Sequence, residues 1–295
     1  MLDPRVGRWF ARDPKSAKYP HESPYAYVSN NPIVCIDPDG EEKIVISGGA
    51  DLHNKNRLNF IMGAKVQLKN YLNEVKKAKS GENVTWIIFD LDYTSAEKKQ
   101  FEAYAQKNGL SIPVYVKTAD EVKNYLNSKT TVTASLSVDR LADQVTDVSA
   151  MSHGFPSVIG FGFDNTGYDM TIPYDKTDFT TDVAKKLDSN AFADGCVVDL
   201  FSCNSATPEI DEGQDFLTTK DLIDNTLKSP NLVKEISVAT KQTATGYIGR
   251  TNYTPVVQGK LPSAGKTGGD YSPTVAKKSV QSIKVTSKNG KTTTN

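Results

Sequence analysis

Along most of the chain, apolar residues follow two spacings in turn, and these predict strands that alternate with helices. Short apolar or alternating runs are typical of strands, whereas apolar residues three and four positions apart are typical of amphipathic helices. The predicted strands span residues 43–49, 84–92, 112–117, 145–151, 195–202 and 236–249. The predicted helices span residues 56–79, 94–108, 118–127, 180–192 and 218–227, the last with an alternative end at 233. This alternation predicts an α/β sandwich with a mainly parallel central sheet.

Turn and cap residues support several of these boundaries. Residues 94–97 read Thr-Ser-Ala-Glu, a capping-box pattern, and Gly109 is suited to end the same helix. Residues 158–175 alternate around Asn165-Thr166-Gly167, which predicts a hairpin. After residue 259 the chain is rich in Gly, Lys, Ser and Thr, but residues 280–295 still alternate and predict a terminal hairpin.

Composition and charge exclude several classes of protein. The 295 residues contain 38% apolar and 24% charged side chains, as in globular domains that form a substantial core. Lys plus Arg and Asp plus Glu number 35 each, so net charge gives no reason to expect a nucleic-acid partner. Three cysteines are too few for a disulfide framework, and no apolar run is long enough to span a membrane. The first residues lack a signal-peptide pattern, so any export is expected to depend on other machinery.

Two apolar runs end in residues suited to acyl transfer. Residues 195–206 read GCVVDLFSCNSA and contain Cys203 in the final turn, and residues 147–154 read DVSAMSHG and end in His153 and Gly154. Sites in parallel sheets collect at the carboxyl ends of strands, where both runs end. A histidine within hydrogen-bonding reach can take the proton of a thiol and return it to the leaving group. The sequence therefore predicts a Cys203–His153 pair, with the Gly154 backbone N–H as an oxyanion donor.

The other histidines and cysteines fit this chemistry less well. His21 lies in the N-terminal segment and His53 in the loop after the first strand, while Cys196 lies inside an apolar run and is interpreted as a core residue. Singly, Cys203 and His153 would each be interpreted as structural, but their order and spacing together favour catalysis. Zinc ligation by His153, Cys196 and Cys203 is disfavoured by the seven-residue cysteine spacing and the lack of an HxE motif.

One pair of carboxylates ends a predicted strand. Asp90 and Asp92, in the sequence FDLD, have the close spacing found in magnesium-dependent phosphotransferases. No second acidic or lysine motif of that kind follows, so a helix cap or a solvent-exposed strand end is favoured. No metal site and no cofactor are predicted.

The two catalytic motifs together carry a family resemblance. An apolar run closing in His-Gly, followed 50 residues later by one closing in cysteine, resembles the caspase-like cysteine peptidases, which include caspases, metacaspases, clostripain, gingipains, separase and CHAT domains. SHG at 152–154 and LFSCNSA at 200–206 are most similar to CHAT-like bacterial members, and the caspase QACRG pattern is absent. The resemblance covers residues 43–249. It implies Cys203 as nucleophile, His153 as general base and Gly154 N–H in the oxyanion hole, without a required third residue; calcium activates some relatives.

Members of this group often hold a basic substrate side chain with an acidic residue. Asp199 and Asp175 are the candidates for substrate binding here, and Asp194 and Asp169 are alternatives by position. No motif chooses among them, and turn or cap carboxylates are the favoured interpretation of each.

The first 40 residues differ from the rest of the chain, with six prolines and no sustained periodicity. Residues 3–14, DPRVGRWFARDP, and 23–40, SPYAYVSNNPIVCIDPDG, resemble the end of the core repeat region of Rhs/YD-repeat proteins. In that family the segment closes a large β-cage and a variable C-terminal toxin domain follows. The domains are therefore expected to be 1–42, the end of the Rhs core; 43–258, the peptidase; and 259–295, a C-terminal tail.

Both resemblances together imply a cysteine endopeptidase toxin delivered by a bacterial secretion system into the cytoplasm of a target cell. Its substrates would be target-cell proteins or the toxin itself, and its partners an immunity protein and the upstream Rhs cage. Some Rhs proteins cleave themselves at paired DPxG motifs, but the single DPDG at 37–40 is followed by two glutamates and favours a simple turn. The alternatives are a nuclease toxin, which would need a cluster of His, Asp, Glu and Lys, and an inactive caspase-like interaction module.

Overall fold

The chain divides into two compact units, Met1–Gly40 and Glu41–Asn295. The computed structural model describes residues 2–3, 8–9, 23, 25, 41–51, 56–80, 82–130, 140, 143–162, 174–209, 214–269 and 271–294. In the first unit, strand β1 (Leu2–Asp3) pairs antiparallel with β2 (Arg8–Trp9). The turn predicted at 37–40 lies outside the described residues.

Strands and helices alternate through the first half of the second unit. Its elements are β3 (Glu42–Ser47), α1 (Asn59–Ala78), β4 (Asn83–Phe89), α2 (Ser95–Lys107), β5 (Val114–Val116), α3 (Ala119–Ser128), β6 (Val145–Met151), β7 (His153–Phe155), β8 (Val158–Gly160), α4 (Tyr174–Thr177), β9 (Asp178–Phe179) and α5 (Thr181–Ala184). Local chemistry sets their ends: α2 begins at a complete capping box between Thr94 and Glu97, as predicted.

The second half supplies the remaining strands and two further helices. Its elements are β10 (Phe192–Phe201), β11 (Asp215–Phe216), α6 (Thr219–Lys228), α7 (Leu232–Thr240), β12 (Thr243–Ile248), β13 (Thr251–Asn252), β14 (Ser263–Ala264), β15 (Thr274–Val275), β16 (Ile283–Lys288) and β17 (Lys291–Thr294), with 3₁₀ turns at Ser189–Ala191 and Thr254–Gln258. Asn289 and Gly290, both with positive φ, form the turn of the terminal hairpin.

The central sheet has eight strands in the order β17-β16-β12-β10-β6-β3-β4-β5. The six strands from β12 to β5 are parallel, and β16 and β17 extend the sheet antiparallel. Helices α1 and α2 pack on one face of the sheet through one apolar layer. Helices α3, α5, α6 and α7 pack on the other face through a second apolar layer. The predicted α/β fold with a large, mainly parallel sheet is confirmed.

Three predicted segments differ in detail. Residues 236–240 were expected to be strand, but they complete α7, because Asn231 caps its first turn and places Ile236 in the core. The predicted helix 180–192 is only one turn of α5 and a 3₁₀ turn before β10 begins at Phe192. Residues 153–160 form a hairpin, whereas the hairpin turn predicted at 165–167 lies outside the described residues.

The segment after residue 258 contributes to the same sheet. β16 pairs along the whole of β12, and β17 pairs with β16, so the predicted terminal hairpin forms and becomes an edge of the sheet. The sequence predicts domain boundaries after residues 42 and 258. The chain divides into compact units only after residue 40.

Candidate active site

The candidate site lies where four neighbouring strands end. β3, β6, β10 and β12 are adjacent and parallel, so their carboxyl ends share one edge of the sheet. Asp51 follows β3, His153 follows β6, Cys203 follows β10 and Thr251 follows β12. Binding and catalytic sites of parallel sheets form at this edge, because it gathers loops that are distant in sequence.

The imidazole of His153 has a buried carboxylate as its partner. Its Nε2 atom lies 3.2 Å from Oδ1 of Asp51. The Asp51 side chain is 5% exposed and that of His153 is 24% exposed, so the ring joins an interior carboxylate to the surface. The second carboxylate oxygen accepts a hydrogen bond from Asn59 Nδ2 at 3.0 Å, which fixes the orientation of the carboxylate. A carboxylate on one ring nitrogen sets the tautomer of the ring and assigns proton exchange to the other nitrogen.

An aromatic side chain from α1 packs against the same imidazole. Phe60 meets the His153 ring edge to face, with centroids 4.9 Å apart, and meets the Tyr253 ring at 5.2 Å. Edge-to-face packing of this kind limits rotation of the rings. Phe60 therefore fixes the plane of the imidazole, as Asp51 fixes its hydrogen bonding.

The two described cysteines have different environments. Cys196 is buried in the apolar layer under α7, and burial raises the pKa of its thiol. Cys203 is partly exposed. Its Sγ atom accepts a hydrogen bond from the backbone N–H of Thr251 at 3.3 Å and lies 3.4 Å from the Thr251 hydroxyl. Among the described residues, the sulfur is hydrogen-bonded to Thr251 and not to His153. Hydrogen bonds between catalytic residues are often long or misaligned until substrate binds.

Gly154 brings the histidine motif against the cysteine turn. A Cβ atom on Gly154 would stand 2.2 Å from the carbonyl oxygen of Cys203 and 3.0 Å from Cβ of Ser202. Only a glycine allows this approach of the two backbones. In the β7–β8 hairpin, a two-residue loop joins Phe155 to Val158, so this closing pair is hydrogen-bonded. Because hydrogen-bonded and non-hydrogen-bonded pairs alternate along an antiparallel ladder, Gly154 occupies a non-hydrogen-bonded position and His153 a hydrogen-bonded one. The ladder therefore does not use the Gly154 N–H.

The hydroxyl of Tyr253 contacts the backbone at the ends of two neighbouring strands. Its hydroxyl donates a 2.6 Å hydrogen bond to the carbonyl of Phe201, two residues before Cys203. Burial, together with the charges of Cys203 and Asp51, raises the pKa of Tyr253 well above its ordinary value, and the backbone of Ser152 acts on the same hydroxyl in the opposite direction. Tyr253 thus stays neutral and ties the end of β10 to the residue that precedes His153.

Two of the four carboxylates considered for substrate binding, Asp199 and Asp194, lie on β10. Asp199 lies within β10, where it accepts a hydrogen bond from Thr245 and lies 3.5 Å from Lys284 Nζ. Asp194 is exposed at the start of the same strand. Asp169 and the side chain of Asp175 lie outside the described residues, as do His21 and His53.

The strand-end pair in FDLD has local partners. Asp90 forms an ion pair with Lys98 at 3.1 Å. Asp92 has a positive φ, and its backbone carbonyl accepts a hydrogen bond from Arg57. Thr94, and neither aspartate, caps α2. Within the described ranges, no group of three or more His, Cys, Asp or Glu side chains is placed to hold a metal ion.

Sequence reasoning missed three residues of this site: Asp51, Thr251 and Tyr253. Asp51 could have been found from its position four residues after the first buried strand, on the edge of the sheet where His153 was expected. Thr251 and Tyr253 follow a strand that was predicted to end at 249, so the same argument applies to them. No motif marks any of the three, since a single Asp, Thr or Tyr in a loop is common.

Of the helices that the structure describes, none is both long and apolar enough to cross a bilayer. No protein-family model, no curated protein and no solved structure matches the chain.

Proposed function

We propose that residues 41–295 form a caspase-like cysteine peptidase, in which Cys203 is the nucleophile and His153 the general base. The observation that carries the proposal is the contact of Gly154 with the Cys203 backbone, which joins two motifs 50 residues apart on neighbouring strand ends. The partly exposed thiol and the imidazole held by a buried carboxylate support the same assignment.

The proposed reaction proceeds by acyl transfer. His153 takes the thiol proton, and Sγ of Cys203 attacks the carbonyl carbon of a peptide bond. The Gly154 N–H stabilises the oxyanion of the tetrahedral intermediate, which collapses as the amine leaves with the proton from the imidazolium. Water, deprotonated by His153, then attacks the thioester, releases the carboxylic acid and restores the thiol.

Asp51 extends the pair to a Cys–His–Asp arrangement. Because Nε2 of His153 is paired with Asp51, the proposal assigns Nδ1 to proton exchange with sulfur. The carboxylate also stabilises the imidazolium formed after the thiol is deprotonated. The hydrogen bonds with Thr251 define the position of the thiol seen in this structure.

The biological role that we propose rests on the N-terminal resemblance to Rhs proteins. The chain would be the toxin-bearing end of an Rhs effector, delivered by a bacterial secretion system and acting on proteins of a target cell or on the toxin itself. A cognate immunity protein and the upstream Rhs cage would be its partners. One alternative is a catalytically inactive interaction module, which is favoured because, among the described residues, the sulfur makes no hydrogen bond with His153.

The test compares the full chain with Cys203→Ala and with Cys196→Ala as the matched cysteine control. Each protein is incubated with bacterial lysate, and new peptide N-termini are identified by mass spectrometry. We expect the wild type and Cys196→Ala to generate the same new termini and Cys203→Ala to generate none. Identical termini from Cys203→Ala would refute the peptidase assignment, and no termini from any of the three would favour the interaction module.

A further inference from the structure

Thr251 makes both hydrogen bonds of the Cys203 sulfur among the described residues. Its backbone N–H donates at 3.3 Å and its hydroxyl lies at 3.4 Å from the same atom. We propose that Thr251 is the positioning residue of the nucleophile, holding the sulfur in place and favouring its thiolate form before His153 engages it. The inference rests on the proposed function of Cys203 as nucleophile.

Thr251 is itself rigidly placed. It pairs with Ala264 in the β13–β14 ladder. The carbonyl of the preceding residue, Arg250, accepts hydrogen bonds from Gly265 N–H at 2.8 Å and from Ser282 Oγ at 2.6 Å. One residue earlier, the carbonyl of Gly249 accepts a 2.7 Å bond from Asn204 N–H, directly after the nucleophile. The backbone of Thr251 is therefore fixed relative to the turn that carries Cys203.

Hydrogen bonds from Thr251 act on the ionisation of the thiol in a known direction, since the backbone N–H donates to the sulfur and the hydroxyl can donate to it once the proton has left. Hydrogen bonds to the charged form of an acid favour that form, and thiolates form where such donors or positive charges surround the sulfur. Ionisable groups at this end of the sheet include His153 on β7, Asp51 after β3, Asp90 and Asp92 after β4, and Arg250 and Tyr253, which are within two residues of Thr251. Nε of Arg250 donates a 3.0 Å hydrogen bond to the carbonyl oxygen of Gly268, and Tyr253 stays neutral.

Thr251 and His153 have separate roles in this arrangement. Thr251 holds the sulfur and stabilises the thiolate once it forms, whereas His153 takes the thiol proton and supplies it to the leaving group. Reactivity toward a simple alkylating agent needs only the thiolate, but peptide hydrolysis needs both residues. Alkylation as a function of pH therefore reports on Thr251 directly, and peptide cleavage reports on the whole site.

The experiment measures the rate at which iodoacetamide alkylates Cys203 in the full chain between pH 5 and pH 10. Mass spectrometry of the Cys203 peptide distinguishes it from the other cysteines. The variants are Thr251→Val, which removes the hydroxyl and keeps the shape; Thr251→Ser, which keeps the hydroxyl; and Thr254→Val, an exposed threonine in the next turn, as control.

We expect Thr251→Val to raise the midpoint of the alkylation profile by roughly one pH unit and to slow alkylation at pH 7 up to about tenfold, the effect of one hydrogen bond to an anion. Thr251→Ser should restore the wild-type midpoint, and Thr254→Val should match the wild type. An unchanged midpoint in Thr251→Val, with an unchanged melting temperature, would overturn the proposal. A Thr251-dependent midpoint in a chain that cleaves no protein would support this inference and contradict the peptidase assignment instead.

Discussion

A methyl group on Gly154 would stand 2.2 Å from the carbonyl oxygen of Cys203 and 3.1 Å from its backbone nitrogen. Both atoms belong to the main chain, so no side-chain rotation can relieve the overlap. Gly154, in the middle of β7, is therefore in direct backbone contact with the turn after β10, although 49 positions separate it from Cys203 in the chain. The placement of the thiol relative to the imidazole depends on this contact.

The first prediction is that Gly154→Ala separates the two motifs. We expect a loss of about 1–3 kcal/mol of stability from overpacking and a fall of about 10²-fold in peptide cleavage, because displacing a reacting group by about 1 Å has an effect of that order. Peptide cleavage and thermal unfolding are the measurements. Gly109→Ala is the control: no atom lies within 4 Å of its would-be Cβ, so it should lose stability from its positive φ but keep full cleavage.

The order of strands and helices made part of this arrangement predictable. His153 and Cys203 each follow a short apolar run, and parallel strands bring such ends to one edge of the sheet. The sequence could not show that β6 and β10 are nearest neighbours, since pairing depends on contacts between residues far apart in the chain. The closeness of Gly154 to Cys203 follows from that pairing, and the periodicity of either segment carries no sign of it.

The missed elements have equally local causes. Ile236, Ser237 and Val238 belong to a run of β-branched and small residues with the composition of a strand, but the Asn231 cap and burial of Ile236 stabilise α7. The sequence did not identify Asp51 as a partner of His153, because the two residues are 102 positions apart and come into contact only in the folded chain. Tertiary contacts therefore determine the third member of the site.

The second prediction concerns Asp51→Asn. The substitution keeps the shape of the side chain but removes the charge that stabilises a protonated imidazole 3.2 Å away. We expect kcat on a peptide taken from a mapped cleavage site to fall by about 10²-fold, the low end of general acid–base effects, with KM little changed. The acid limb of the rate profile should move to lower pH, because the imidazolium loses its counter-charge.

Asp92→Asn is the matched control for Asp51. Asp92 also follows a parallel strand of the sheet, next to β3, but its backbone carbonyl and not its carboxylate binds Arg57. We expect this variant to cleave peptides at the wild-type rate. A wild-type rate and pH profile in Asp51→Asn would show that the carboxylate has no part in catalysis.

The third prediction concerns the hydroxyl of Tyr253. Tyr253→Phe removes the 2.6 Å hydrogen bond to the Phe201 carbonyl and keeps the ring that packs on Phe60. The buried carbonyl loses its partner, so we expect a loss of about 1–3 kcal/mol in the free energy of unfolding, measured by urea denaturation. Tyr104→Phe, whose hydroxyl bonds to the Lys65 carbonyl at 3.2 Å from a half-buried position, should cost less. An equal effect of the two substitutions would contradict the structural role given to Tyr253.

The last prediction concerns a buried ion pair at the other end of the sheet, where the parallel strands begin. Glu42, at the start of β3, accepts a 2.7 Å hydrogen bond from Arg140 Nη1, and Lys129 Nζ lies at 3.6 Å. Burial alone would raise the pKa of Glu42, but the charges of Arg140 and Lys129, together with hydrogen bonds from Thr85 and Arg140, outweigh burial, so the pKa lies below its ordinary value. Glu42 therefore stabilises the fold above its unfolded-state pKa of 4.5, and this contribution is lost as the pH falls through the lower folded-state value.

Arg140→Met removes the main partner of this carboxylate and leaves a buried charge without it. We expect a loss of about 3–5 kcal/mol in the free energy of unfolding at pH 7. The loss should shrink toward pH 4. Protonation of Glu42 removes the uncompensated charge from the variant, and in the wild type it begins to remove the stabilisation from pairing with Arg140. Urea denaturation at both pH values measures the two differences. Lys220→Met, which breaks an exposed ion pair with Asp224, should leave the midpoint unchanged at either pH. A difference between wild type and Arg140→Met that is the same at pH 7 and pH 4 would rule out ionisation of Glu42 as its cause.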